Sequence, residues 1–337
     1  MSHVARAYAF GSDDTFVDLT DTFGFAVALK CEAFNFAGSI KLKAAVSMVE
    51  GAERDGRLRP GSVIVESSSG NLGIALAIVA AAKGYAFVCV TDPRSSDHSR
   101  RLIQAAGGEV VVVTEPDSAG GFLGSRIDRV RQLCAANPHY VWMNQYANPD
   151  NWLAHYHSTA PAIVQHSADM DFLFVGAGTT GTLMGCARYL RDIGHHARVV
   201  AVDTVGSVTF GGEPGPRFIP GLGTSRRPEL VDETYVDEVV HVEELDTIAM
   251  CRRLARRGYL FGGSTGTVLA GLQRRMSEPD AAGATAVAIS PDLGERYLTT
   301  VYDDAWVAAH YGPDALASLA DPSRWSPAGL LTTGTTT

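Results

Sequence analysis

Apolar residues in this chain fall into short continuous runs, separated by longer stretches in which they recur at helical spacing. Short runs bounded by Gly, Pro and Asn predict buried strands, and the spaced stretches predict helices. The runs are Phe25–Cys31, Ser62–Glu66, Ala86–Thr91, Val110–Val113, Tyr140–Met143, Phe172–Val175, Val199–Asp203 and Ala286–Ile289. Between them, helices are expected from Lys41 to about Asp55, Ile74 to Lys83, Ser96 to Ala106, Gly124 to Asn137, Asn151 to Gln165, Leu183 to Ile193, Leu245 to Arg257 and Gly266 to Met276. Strand, loop, helix, strand is the order of a parallel sheet, and it occurs twice with a small-residue loop after the first strand. The pattern therefore predicts an α/β protein of two similar units. Residues 1 to about 20 read as irregular, 205–229 as a Gly/Pro-rich loop lying over something, and Asn148-Pro149-Asp150 as a break. A frayed tail is expected from Asp321 onward.

Composition narrows the class. The 337 residues are 46% hydrophobic and 19% charged, as in a soluble globular protein with a full core. A net charge of −9 and the lack of a basic run argue against nucleic acid as a partner. The longest apolar stretch, Ile74–Ala82, is too short to span a bilayer. Without a signal-peptide core near Met1, the expected location is the cytoplasm. The five cysteines, Cys31, Cys89, Cys134, Cys186 and Cys251, are scattered without CxxC spacing. They predict reduced, mostly buried thiols, with no disulfide frame and no metal site.

Four segments could carry chemistry. In Asn35-Phe-Ala-Gly-Ser-Ile-Lys-Leu-Lys43 a small flexible turn delivers Lys41 to a helix start. The positive end of the helix dipole disfavours an ammonium there but tolerates a neutral amine, the form that attacks a carbonyl. The chain has only four lysines (Lys30, Lys41, Lys43, Lys83), although arginine is abundant. On this stretch alone, a solvated helix face explains Lys41 and Lys43 at least as well. The loop Gly176-Ala-Gly-Thr-Thr-Gly-Thr182 offers backbone N–H groups and hydroxyls at a helix start, a cup for phosphate. It also matches GxGxxG, with Asp203 placed as a ribose-binding acid, so a nicotinamide enzyme is a second reading. That reading leaves Lys41 and the loop Ser67-Ser-Ser-Gly-Asn-Leu-Gly73 without a task. The latter loop suits a carboxylate or phenolate-like oxygen, or simply caps its helix. In Gly262-Gly-Ser-Thr-Gly266 the hydroxyls could meet a ring nitrogen or cap.

Taken together, these segments resemble the fold-type II pyridoxal-phosphate enzymes of the cysteine synthase group. Asn35, Gly38, Ser39 and Lys41 match N-x-x-G-S-x-K; Ser69, Gly70, Asn71 and Gly73 match S-G-N-x-G; Gly176, Gly178, Thr179, Gly181 and Thr182 match G-x-G-T-x-G-T. Pro291-Asp-Leu-Gly-Glu-Arg-Tyr-Leu298 matches the closing segment. The resemblance runs in order over roughly residues 25 to 310. Within the group, the chain looks most like enzymes that join O-phospho-L-serine to L-glutamate, through Glu66–Ala77, Glu115–Gly121, Asn144–Asn148, Trp152 with His155-Tyr-His157, and Gly206-Ser-Val with Phe210-Gly. It departs from the group at Leu42-Lys43, where Asp-Arg is usual, and in lacking the early T-P-L segment. Leu72 stands where sulfhydrylases carry threonine, which puts sulfide as acceptor in doubt.

The resemblance implies a fold of the tryptophan synthase β type, with two mostly parallel sheets flanked by helices and pyridoxal 5'-phosphate in the cleft between them. The large domain would comprise 1–36 and 150–320, the small mobile domain 37–149 and the tail 321–337. Lys41 would be the catalytic, cofactor-bearing residue. Asn71, Gly178, Thr179, Thr180, Gly181, Thr182 and Ser264 would complete the cofactor site. Ser68, Ser69, Gly70, Asn71, Arg126, Gln145 and Tyr146 would bind substrate. The implied reaction is β-replacement, giving N-(2-amino-2-carboxyethyl)-L-glutamate and phosphate on the way to 2,3-diaminopropionate for a siderophore or peptide antibiotic. Implied partners are amino-acid substrates, a second copy in a homodimer and a downstream oxidative dehydrogenase. The alternatives are a cysteine synthase using O-acetylserine or O-phosphoserine, and a non-catalytic binding member of the fold.

Overall fold

A computed structural model describes residues 4, 6–11, 13–117 and 121–320; the expected tail at 321–337 lies outside them. Ten strands form two sheets. The larger contains β1 (Phe16–Asp18), β2 (Val27–Cys31), β7 (Phe172–Gly176), β8 (Arg198–Thr204), β9 (Glu238–Val242) and β10 (Ala286–Ser290), in the order β1-β2-β10-β7-β8-β9. Only β1 is antiparallel. The smaller contains β3 (Val63–Ser67), β4 (Ala86–Thr91), β5 (Glu109–Val112) and β6 (Tyr140–Trp142), in the order β5-β4-β3-β6, all parallel.

Parallel sheets are covered on both faces, so their strands read as continuous apolar runs. Within β3, Ile64 packs into one cluster with Met48, Leu76 and Phe87, while Val65 packs into the opposite one with Val88 and Val130. In the larger sheet, Leu29 and Phe174 face one layer and Leu173 and Val175 the other. Four of the helices that carry the site follow strands: α1 (Lys41–Arg54), α2 (Asn71–Lys83), α3 (Leu123–Ala136) and α4 (Gly181–Asp192); α5 (Gly263–Met276) follows another helix, Glu244–Ala255.

Several expectations need correction. The first 20 residues are not wholly irregular, because β1 pairs with β2 at the sheet edge. The strand β9 was not legible: Glu-Val-Val-His-Val carries polar residues because it is the other edge and only partly buried. The helices at Asp304–Tyr311 and Asp314–Ala320 were also not anticipated. Three helices begin earlier than the apolar pattern suggests, α2 at Asn71, α4 at Gly181 and α5 at Gly263. A first helical turn needs no apolar residue and tolerates small polar ones, so loop chemistry and helix start coincide. Asn148-Pro149-Asp150 starts a helix: Asn148 Oδ1 accepts from Asp150 N at 3.0 Å, and proline is favoured at the first position. The long helix that follows is interrupted instead by a π turn at His155–Thr159.

Candidate active site

The lysine turn is pinned to the larger sheet. Ile40 N donates to Pro291 O at 2.8 Å, and Ser39 bridges Asp292 just beyond β10. Gly38 has φ +61°, and a Cβ there would lie 2.7 Å from Arg296 Nη2, so the turn requires glycine. Lys41 then opens α1, as the sequence suggested. Burial holds its amine below the usual lysine range, with nearby Asp292 opposing.

The other three lysines are engaged in ion pairs. Lys43 reaches Glu32 at 2.8 Å; burial would lower its pKa, but Glu32 and Asp13 outweigh that and raise it above the ordinary lysine value. Lys30 lies 3.6 Å from Glu32, and Lys83 lies 2.8 Å from Glu53. Lys41 has no ion pair within 4 Å among the described residues. It is the lysine free to react. Borohydride treatment of the cofactor-loaded protein should therefore leave a single modified peptide containing Lys41. An adduct on Lys43, Lys30 or Lys83 would show that the register of this turn has been misread.

The cup at 176–182 sits between β7 and α4. Thr180 is left-handed at φ +65°, and its Oγ1 is buried without a partner among the described residues. Asn151 Nδ2 donates to Thr179 Oγ1 at 3.1 Å and to Gln145 O at 2.7 Å. A Cβ on Gly178 would lie 2.7 Å from Gly221 O, and one on Gly181 2.2 Å from Asn151 Oδ1. Thr182 Oγ1 is 3.2 Å from His155 Nε2, and His155 Nδ1 is 3.0 Å from Thr159 Oγ1. Burial, reinforced by Lys43 and Lys41, drives the His155 pKa well down, so the ring is neutral. An orphaned hydroxyl, the N–H groups of a helix start and a glycine cradle fit a phosphate. The π turn is what brings His155 and Thr159 to this cup, and no sequence signal marked it.

The loop after β3 divides its tasks. Ser68 Oγ accepts from Gly70 N at 3.3 Å and Gly73 N at 3.0 Å, so this hydroxyl serves the loop and the helix start. Ser67 Oγ is buried without a partner among the described residues. Asn71 Nδ2 donates to Asp292 Oδ2 at 2.8 Å, which joins the smaller sheet's loop to the segment after β10. Burial raises the Asp292 carboxyl, opposed by Asn71, Tyr297, Arg296 and Lys41. Ser264 lies in the first turn of α5, 4% exposed, and lines a small cavity with Thr204, Leu222, Glu244 and Thr267. A Cβ on Gly221, at φ +117°, would lie 2.3 Å from Ser264 Oγ. Residues 205–229 thus lie against both the cup and Ser264.

On the smaller sheet, Gln145 Nε2 donates to Ser67 O at 3.0 Å and its backbone N to Glu66 Oε2 at 3.2 Å. Tyr146 accepts Leu230 N at 3.2 Å through its carbonyl, and burial raises its phenol. Arg126 lies in the first turn of α3, 9% exposed, with Nε 3.2 Å from Asp92 Oδ2 but too far off line for a hydrogen bond. The neighbouring Arg131 pairs at 3.4 Å with Asp128 and is exposed, so α3 carries one inward arginine among solvated ones. Asp203, the ribose acid of the nicotinamide reading, is wholly buried and accepts Thr204 N at 2.8 Å.

Glu66, at the end of the β3 run, matches no catalytic or binding motif in the sequence. It is fully buried and accepts from Ser67 N at 2.7 Å, Trp142 Nε1 at 3.2 Å and Gln145 N at 3.2 Å. Desolvation still dominates and pushes its carboxyl to about 7. Because this pKa is raised on folding, the folded state binds the extra proton. Stability from this group is therefore full below the unfolded value near 4.5 and falls as pH rises to about 7. Chemical denaturation of Glu66→Gln and the parent at pH 4.5 and 8 should show the difference moving in the variant's favour by roughly 3 kcal/mol. A pH-independent difference would mean that Glu66 is ionised throughout.

The two sheets and the cleft residues define a fold-type II pyridoxal-phosphate enzyme. A family model described as pyridoxal-phosphate dependent enzyme matches residues 17–292, and the chain belongs to that family. This sets aside the nicotinamide reading. Among relatives, an N-(2-amino-2-carboxyethyl)-L-glutamate synthase of Ralstonia nicotianae is 44% identical over 305 residues, covering 89% of this chain and 90% of that one. One of the same name from Cupriavidus metallidurans is 42% identical over 324 residues, covering 93% and 95%. The crystal structure of an O-ureido-L-serine synthase superposes with a TM-score of 0.80 at 34% identity, covering 91% of this chain and all of that one. Among the described residues, no helix is long and apolar enough to cross a membrane, and no cluster of His, Cys, Asp and Glu could hold a metal ion.

Proposed function

We propose that this protein replaces the β-substituent of O-phospho-L-serine with the amine of L-glutamate, giving N-(2-amino-2-carboxyethyl)-L-glutamate and phosphate. The observation that carries this reading is identity of 42–44% to two enzymes of that name, over about nine-tenths of the chain. Bound pyridoxal phosphate supplies the electron sink that makes the substrate α-proton removable. The threonines and backbone N–H groups of the cup would hold its phosphate, and Ser264 would serve its ring nitrogen as a neutral partner. Lys41, held towards its neutral form, takes the α-proton and later returns it to the same carbon. Ser69 and the N–H groups around Gly70 hold the substrate carboxylate, while the Ser68 hydroxyl shapes that loop. Gln145 and Tyr146 line the substrate side, and Arg126 meets the departing phosphate.

The large domain of 1–36 and 150–320 and the small mobile domain of 37–149 close on the substrate in this reading. The enzyme works in the cytoplasm as a homodimer and hands its product to an oxidative dehydrogenase, which releases 2,3-diaminopropionate for a siderophore or peptide antibiotic. The deciding experiment incubates the cofactor-loaded protein with O-phospho-L-serine and either L-glutamate or sulfide. Mass detection of the glutamate adduct, with matching phosphate release, is the expected result. Faster formation of cysteine would make the protein a sulfhydrylase.

A further inference from the structure

Asp292 and Arg296 take no part in the assignments above, yet they grip a residue that does. Asp292 is 1% exposed and wedged between the lysine turn and α5, where its carbonyl accepts Gly262 N at 3.1 Å. Its Oδ2 accepts from Asn71 Nδ2 and from the Tyr297 hydroxyl, both at 2.8 Å. Arg296 donates through Nη1 to Asn71 Oδ1 and through Nη2 to Ala37 O. Glycines make room for both: a Cβ on Gly262 would lie 2.0 Å from Asp292 Oδ1, and one on Gly38 2.7 Å from Arg296 Nη2.

The Asn71 amide is thus held at each end by a partner of opposite kind. A guanidinium only donates, so it faces the amide oxygen and leaves the NH2 for the carboxyl oxygen of Asp292. Turning the amide over would set NH2 against guanidinium and oxygen against carboxylate. Its orientation is therefore fixed, and the second hydrogen of Nδ2 has no acceptor among the described residues. We propose that Asp292 and Arg296 are positioning residues that lock the Asn71 amide so that this second N–H is kept for the ring oxygen of pyridoxal phosphate. The inference rests on Asn71 meeting that oxygen. It adds a tie across the cleft, since the clamp joins the start of α2 and the lysine turn to the segment after β10.

The test uses cofactor-loaded parent, Asn71→Ala, Asp292→Asn and Arg296→Lys proteins, and Asn71→Ala combined with each of the other two. The readouts are the visible absorption band of the bound cofactor and the rate of its loss on dialysis. Asn71→Ala should shift the band and speed loss by roughly tenfold, the scale of one charge-assisted hydrogen bond. Asp292→Asn and Arg296→Lys should shift the band the same way, and neither should move it further once Asn71 is alanine. A band unmoved by Asn71→Ala alone removes the premise that Asn71 meets the cofactor, and the clamp with it. If Asn71→Ala moves the band, an equal further shift from Asp292→Asn or Arg296→Lys in that background overturns only the clamp, since the residue then acts on Lys41 directly. Lower melting temperatures with an unchanged band overturn it as well. Arg296 is only partly buried, so Arg296→Lys carries the test should Asp292→Asn fail to fold.

Discussion

Lys41→Ala is expected to lower turnover of O-phospho-L-serine by at least about 10,000-fold, the upper end of what a positioned proton-transfer group contributes. The same residue both carries the cofactor and moves the proton, so no neighbour substitutes. Lys43 is committed to Glu32 and Asp13, which raise its pKa above the ordinary lysine value and keep it charged. Lys41→Arg should not restore activity, because a guanidinium stays protonated and cannot accept the α-proton. The assay is phosphate release by the variant loaded with pyridoxal phosphate, with circular dichroism to show an intact fold. A rate within about tenfold of the parent would remove Lys41 from the proton transfer.

Arg126→Ala should cost about 2–5 kcal/mol in handling the phosphate of the substrate, roughly 30- to 4,000-fold in kcat/KM. Arg126 is almost fully buried, and among the described residues the sole carboxylate within ion-pair distance of it is Asp92 at 3.2 Å. Removing Arg126 alone strands the buried Asp92 carboxylate, which destabilises the fold apart from any substrate effect. The double variant Arg126→Ala/Asp92→Asn relieves that penalty and should still fail on O-phospho-L-serine. Against O-acetyl-L-serine, whose leaving group carries no dianion, the same variant should lose far less. Equal losses on both substrates would leave Arg126 a structural partner of Asp92.

Residue order made much of this protein legible. Continuous apolar runs located eight of the ten strands, because strands buried on both faces cannot carry polar residues. The two missed, β1 and β9, are the edges of the larger sheet, where one side is solvated and the apolar signal fades. The loops that carry the site were legible as well, since small residues before a helix leave a chemical signature. What was not legible is which of several equivalent groups is free to act. Lys41 and Lys43 sit two positions apart; the motif names Lys41, but the physical reason, Glu32 and Asp13 packed against Lys43, exists only in the fold. Three serines stand in a row at 67–69, and only the fold assigns the Ser68 hydroxyl to the backbone N–H groups of Gly70 and Gly73.

The sequence by itself determined most of the elements, the parallel order of the central strands and the family, because these follow from local periodicity and from motifs a few residues long. The tertiary structure decided the electrostatics. The neutral state of His155, the raised carboxyl of Glu66 and the grip of Asp292 and Arg296 on Asn71 depend on desolvation and on partners up to 225 positions away. Burial and charge act through space, and the order of residues along a chain does not state which distant groups will share it.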